Sequence, residues 1–436
     1  MEEDPRNTLV GGILSDKKDK EALNKIKQKI YRLLRWSQKY TQTDMVYLVE
    51  GGFWLGLKQV ILTVTSFLLA ITFANLLDPA TYGNYRYILS VAGILGVFTL
   101  GGMETACAQA VARGFEESFY SGFKTKIKWG LLGSLGSLGL AGYYLIRGNY
   151  LLPIPLIILS LSLPLMYGSQ IYISFLGGRK FFGTKVKYST VAYLFSSLIL
   201  MVTLFFTKNL LWLIAAYCAS NTFLNYFFYL ITKKKFQPNK KEDPNTISYG
   251  KHLSLMDALS VIAAKLDQIL LFTLIGSSQL SVYSFALIVP DQIRALLKNI
   301  SALAFPKLST KSLKLIKGNM QRRSWQLFIL ASVIVVGYII AAPYIYQILF
   351  PKYSDSVFYS QIYIFSVLTL PTTLMSTTFS AKIMKKELYF LRFLPFLQIV
   401  FLGILIPPFG ILGALMAVLG TKVLATALTI FLFRRS

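Results

Sequence analysis

The feature that most constrains this chain is a series of apolar stretches that carry almost no charge. Val60–Leu77, Ile127–Ile146 and Ile411–Phe433 are examples, and several such stretches reach the ~20 residues that a helix needs to cross a bilayer. Composition points the same way: 54% of the 436 residues are hydrophobic and 15% are charged, against about 25% charged in soluble chains. A net charge of +26 fits either a nucleic-acid binder or a membrane protein that keeps its cations on one side. The placement of the charges decides for an all-α, polytopic membrane protein.

Hydropathy and turn signals give twelve spans, at about 52–77, 86–112, 128–146, 151–176, 188–207, 210–232, 254–276, 282–306, 325–350, 357–383, 393–408 and 411–433. The eleventh is short and is expected to end at Pro407-Pro408. With the amino terminus inside, 36 Lys and Arg fall in inside segments. Only Arg86, Arg147, Lys208 and Lys352 fall outside, and five lie within spans. This asymmetry places both termini in the cytoplasm. The cations form no stripe interleaved with aromatics, so nucleic acid is excluded as a partner.

Other classes fall away in turn. Cys107 and Cys218 sit in apolar stretches and His252 has no His or Cys neighbour, so no disulfide framework or metal site is expected, nor any cofactor. The outside loops are too short to hold the catalytic groups of a membrane glycosyltransferase, so no enzyme is expected. Gly178-Arg-Lys-Phe-Phe-Gly-Thr-Lys185 resembles a phosphate loop, but it joins two spans rather than a strand and a helix. The first strongly apolar run begins near Gly51, behind a leader too long for a signal peptide, and is expected to remain as an anchor. Within that leader, Asp16–Tyr40 places Leu23, Ile26, Ile30, Leu33 and Leu34 at helical spacing among lysines and arginines. Such a helix either lies on anionic lipid of the inner leaflet or stays exposed and reinforces topology.

The chain repeats itself. Leu76-Leu-Asp-Pro-Ala-Thr-Tyr-Gly-Asn-Tyr85 follows the first span as Leu274-Ile-Gly-Ser-Ser-Gln-Leu-Ser-Val-Tyr283 follows the seventh. Leu163-Pro164 and Leu370-Pro371 each precede a basic turn. Spans 1–6 therefore recur as 7–12, in parallel, and imply two six-helix bundles related by a pseudo-twofold along the membrane normal with a cavity between them. The expected organisation is a basic leader at 1–50, bundles at 51–235 and 254–436, and a cytoplasmic linker at 236–253.

Leu77-Asp-Pro-Ala-Thr-Tyr-Gly-Asn-Tyr-Arg-Tyr-Ile-Leu-Ser90, followed by Leu100-Gly-Gly, resembles the first hairpin of bacterial polysaccharide transporters. These are the O-antigen and oligosaccharide flippases of the multidrug/oligosaccharidyl-lipid/polysaccharide exporter superfamily. The resemblance covers roughly residues 45–436, although the leader is longer than the family's. It implies alternating access and translocation of an undecaprenyl-diphosphate-linked oligosaccharide across the bacterial inner membrane. Polysaccharide polymerase and chain-length proteins are then possible partners.

Ionisable residues within spans cost about 2.5–3.5 kcal/mol each on insertion scales and so mark candidate sites. Asp291, Arg294 and Lys298 share an arc of about 60° on span 8, where Asp291 can pair with Arg294. Lys265 and Asp267 on span 7 point about 160° apart. Lys58, Lys265, Arg294, Lys298 and Lys422 are candidate ligands for a diphosphate, and Glu104, Asp267 and Asp291 are candidates for ion coupling or ion pairing. The alternative for each is a structural ion pair or, for Lys58, a side chain that snorkels to the interface. At the level of function, the alternatives to a flippase are an ion-coupled drug or cation antiporter of the same superfamily, or a membrane enzyme or scaffold of polysaccharide assembly. The antiporter calls for a more acidic cavity than these spans provide.

Overall fold

The computed structural model describes residues 45–310, 313–382 and 384–435; the amphipathic segment Asp16–Tyr40 lies outside the described residues. Leu55–Ser436 forms one compact unit. The described residues form helices joined by turns and short loops. In chain order the α-helices are α1 (Met45–Leu76), α2 (Pro79–Leu95), α3 (Gly102–Ala112), α4 (Ser118–Ile146), α5 (Pro153–Gly168), α6 (Ile171–Gly178), α7 (Phe182–Phe206), α8 (Leu210–Phe236) and α9 (Asn245–Leu274). They continue with α10 (Ser277–Thr310), α11 (Leu313–Leu349), α12 (Ser356–Tyr363), α13 (Thr373–Ala381) and α14 (Lys385–Arg435). Short 3-10 turns join α2 to α3 and α11 to α12, and a nine-residue 3-10 stretch joins α12 to α13.

Among the described residues eight helices are long and apolar enough to cross a membrane, or nine when the bent pair α2 and α3 counts as one. The helix α14 holds two crossings. With α8 and α9, which have the length but a more polar composition, the order matches the twelve expected spans. Three boundaries differ. The second span is not one rod from residue 86: it starts at Pro79 and bends by 46° between Thr99 and Gly102. Asp78 caps its start by accepting a hydrogen bond from the Thr81 N–H at 2.9 Å, with Pro79 in the first turn, where a missing N–H costs nothing. Pro407-Pro408 does not end the eleventh span. The break comes at Gly410, whose φ of 58° and ψ of −128° suit only glycine. Finally, α9 begins at Asn245, so the connection after α8 is shorter than expected.

Helix parity puts the basic connections at one end of the bundle. The opposite end has only short turns, such as 77–78, 207–209 and 275–276. There the repeated hairpins meet. A methyl group at Gly83 would overlap the Ser277 carbonyl, so only glycine lets α2 approach the start of α10 this closely. Around the contact, Tyr82 packs on Phe285 with ring centroids 4.7 Å apart, and Phe285 stacks on Tyr353 at 3.8 Å. Lys352 reaches across to the last carbonyls of α1, donating to Asn75 O at 2.8 Å and Leu77 O at 3.2 Å. A cation there complements the negative end of the helix dipole.

Candidate functional site

One level below this aromatic seal the side chains turn polar. Tyr363, the last residue of α12, is buried, and its hydroxyl gathers three charged groups from two other helices. It donates to Asp291 Oδ1 at 2.9 Å and accepts from Arg294 at 3.3 Å and from Lys422 Nζ at 3.0 Å. Asp291 and Arg294 stand one turn apart on α10, with Arg294 NH1 3.6 Å from Asp291 Oδ1. Lys422 comes from the second crossing of α14, and its ammonium also lies over the Tyr363 ring, 4.5 Å from the centroid, a cation–π geometry. Arg294 Nε is buried without a hydrogen-bond partner, so part of the fork is unused. Half of the Asp291 side chain remains exposed, so the cluster faces open space.

The facing wall is made where α2 crosses α9. Arg86 and Ser90 both donate to Gln268 Oε1, at 3.2 and 2.7 Å. The Lys265 side chain runs along α2 at Gly93 and makes no hydrogen bond or ion pair among the described residues. It lies within electrostatic reach of Arg86, Asp267 and Asp291. Asp267 points elsewhere: it is buried, accepting from the Tyr283 hydroxyl at 2.6 Å and from the Gln268 N–H at 2.8 Å. The central group thus holds four basic side chains, Arg86, Lys265, Arg294 and Lys422, against the partly exposed Asp291 and the buried Asp267.

Lys58 and Glu104 belong to a separate cluster in the first half. Lys58 donates to Ser189 on α7 at 2.9 Å and feels the charge of Lys185. Glu104, in the first turn of α3, pairs with Lys126 of α4 at 2.7 Å. Only 1% of the Lys126 side chain is exposed, so this carboxylate neutralises a buried cation. The Lys298 side chain lies outside the described residues. Asp257 pairs with Arg392 at 3.8 Å. Four participants escaped the sequence: Tyr363, Arg86, Lys126 and Lys185. The last three were counted as loop cations, because hydropathy falls before the helix ends.

At the basic end a clamp ties three connections together. Arg179 donates through Nε and NH2 to the two carboxylate oxygens of Glu116, both at 2.6 Å, and through NH1 to Phe236 O at 3.0 Å. The Asn239 N–H also donates to Glu116, at 2.8 Å. Partial burial alone would raise the Glu116 carboxyl. The hydrogen bonds from Arg179 and Asn239 and the guanidinium charge outweigh it and hold the group below the usual carboxylate range.

Twelve crossings in two similar halves, meeting at a charged seam, define a multi-pass membrane protein with the fold of the MOP-superfamily transporters. The lipid II flippase MurJ in an inward closed conformation superposes with a TM-score of 0.65 at 14% identity, covering 86% of this chain and 86% of that one. An inward-facing multidrug resistance MATE family transporter gives 0.63 at 12%, covering 86% and 94%. A MOP-superfamily transporter from Pyrococcus furiosus, described as having a binding pocket of reverse polarity, gives 0.54 at 12%, covering 88% and 95%. The profile of the polysaccharide biosynthesis protein family matches residues 48–311, and the chain belongs to that family. A search of curated protein sequences found no match.

Proposed function

We propose that this protein is a flippase that moves a polyprenyl-diphosphate-linked oligosaccharide, a polysaccharide or O-antigen repeat unit, across the bacterial cytoplasmic membrane by alternating access. The observation that carries the proposal is the Tyr363 cluster. Arg294 and Lys422 converge on one hydroxyl with a single acid between them, opposite Lys265 and Arg86. Uncompensated cations in a low-dielectric cleft favour a multiply charged anion, and an arginine fork can hold phosphate oxygens bidentately. Asp291 positions Arg294 until the diphosphate arrives. A lipid II flippase of the same fold and the family match support this reading. In it, the two halves flank the connection at 237–244, both termini are cytoplasmic, and polymerase and chain-length proteins receive the product outside.

Deletion of the gene should leave lipid-linked repeat units accumulated on the inner leaflet, and the wild-type gene should clear them. Arg294→Ala should fail to do so at normal membrane abundance and melting temperature, whereas Arg294→Lys should retain part of the activity. Normal export from a well-expressed Arg294→Ala protein would sink the assignment. For topology, cysteines at Asn149 and Asn209 should label from outside and one at Asn239 from inside, and reversed labelling would refute the orientation.

A further inference from the structure

A cavity of about 470 Å³ lies within the C-terminal half, lined among the described residues by α11, the 3-10 stretch before α13, α13 and α14. Its size falls in the range of small-molecule sites, about 300–1,000 Å³. Phe328 of α11, Pro371 of the 3-10 turn, Met375 of α13 and Ile430 of α14 form apolar walls, and Trp325 and Arg434 also line it. Along α11 the next turns expose Ile329, Val333 and Val336, so this helix faces hydrocarbon and the cavity adjoins lipid. Trp325 is 59% exposed, as tryptophans at membrane interfaces commonly are. Arg434, with Arg435 beside it, supplies positive charge at the basic end of the bundle, matching the phosphate of an anionic lipid.

We propose that this cavity binds an anionic membrane phospholipid, with an acyl chain between Phe328, Met375 and Ile430 and the phosphate at Arg434. The prenyl chain of a transported lipid is a poorer occupant. Its diphosphate is assigned to the Tyr363 cluster, and the cavity lies behind that cluster with a basic group of its own. The lipid would brace the site from the rear. The 3-10 turn Ile364–Thr372 starts immediately after Tyr363 and ends at the cavity wall. Thr426, another lining residue, is one helical turn beyond Lys422 and meets the Thr372 hydroxyl at 3.5 Å. A nine-residue 3-10 stretch is long for that geometry and can convert to α-helix, so an occupied cavity would hold it in place. The proposal requires only that the chain spans a membrane, so it stands or falls separately from the identity of the substrate.

The test uses the full-length protein in phosphatidylethanolamine nanodiscs containing a small fraction of phosphatidylglycerol with a diazirine in one acyl chain. Crosslinks should concentrate on peptides holding Phe328, Met375 and Ile430. They should fall several-fold in Thr372→Trp and in Thr426→Phe, which fill the cavity from two different helical elements and are compared at matched melting temperature. Arg434→Gln should lower the yield for phosphatidylglycerol but not for an equivalent phosphatidylethanolamine probe. Labelling spread evenly over the lipid-facing helices, or unchanged by both filling variants, would overturn the proposal. So would crosslinking that a polyprenyl phosphate competes away and phosphatidylglycerol does not.

Discussion

The seam between the two halves is built in two ways at two depths. Near the short turns it is packed: Gly83 lies against Ser277, Tyr82, Phe285 and Tyr353 fill the space, and Lys352 satisfies the end of α1. One level deeper it is charged, and Lys265 and part of the Arg294 fork lack partners among the described residues. The packed level is filled with rings and its cation, Lys352, is already bonded, which suits a seal. The charged level holds more basic groups than acids and leaves part of the Arg294 fork unused, so an anion adds interactions that the protein does not supply. Closure and binding are therefore separable properties, and different substitutions should disturb each.

The largest effect is expected at the packed level. Gly83→Val forces a branched side chain against a carbonyl that cannot withdraw, at the upper end of the about 1–3 kcal/mol typical of overpacking. It should abolish export and expose a cysteine at Ser281, now buried, to water-soluble reagents. Unchanged labelling would mean that this contact is not the seal. Next, Glu104→Gln strands the buried Lys126. Because Glu104 is 40% exposed, the loss should be about 2 kcal/mol, below the 3–5 of a fully buried pair. Adding Lys126→Met should recover most of the melting temperature, and failure to recover would point to a coupling role for Glu104.

A third substitution works at the charged level alone. Tyr363→Phe removes one hydroxyl shared by three charged groups, worth about 1.5 kcal/mol or roughly tenfold. Export should drop by that factor while cysteine labelling at Ser281 stays at the wild-type level. A rise in labelling would show that the two levels are coupled. The smallest effect lies at the far end, in the clamp of Glu116 and Arg179. Because the Glu116 carboxyl is held below its usual range, its stabilisation is present at neutral pH and fades as pH falls through that lowered value. Melting temperature should therefore decline with acid in the wild type and decline less in Glu116→Gln. Parallel curves would remove the clamp from the account.

Hydropathy made the crossings legible because a spanning helix has no other way to satisfy its backbone. The paired hairpins after spans 1 and 7 likewise showed that the chain repeats, although not that the hairpins themselves touch. What escaped was the continuation of helices beyond the apolar core. Lys126 lies more than two turns inside α4, yet it reads as a loop cation because the preceding residues are polar. Arg86 was assigned to an outside edge although its chain reaches Gln268 in α9. Tyr363 could not have been chosen from 26 tyrosines, since its role depends on residues brought to it from spans 8 and 12. Gly410 was hidden behind two prolines that looked like the stronger breaker.

The two-residue turn between α9 and α10 has a consequence for how the protein is made. The helix α9 carries Asp257, Lys265 and Asp267, and charges near a helix centre each oppose insertion by about 2.5–3.5 kcal/mol. Left alone beside the translocon, α9 would favour water over lipid. Its tether is too short for it to wait there while α10 inserts, because Ser277 already begins the next helix. The hairpin therefore enters the bilayer as a unit, with the Tyr283 hydroxyl positioned to cover Asp267 as soon as the two helices lie side by side. During synthesis the most hydrophilic crossing of the second half is carried in by its neighbour.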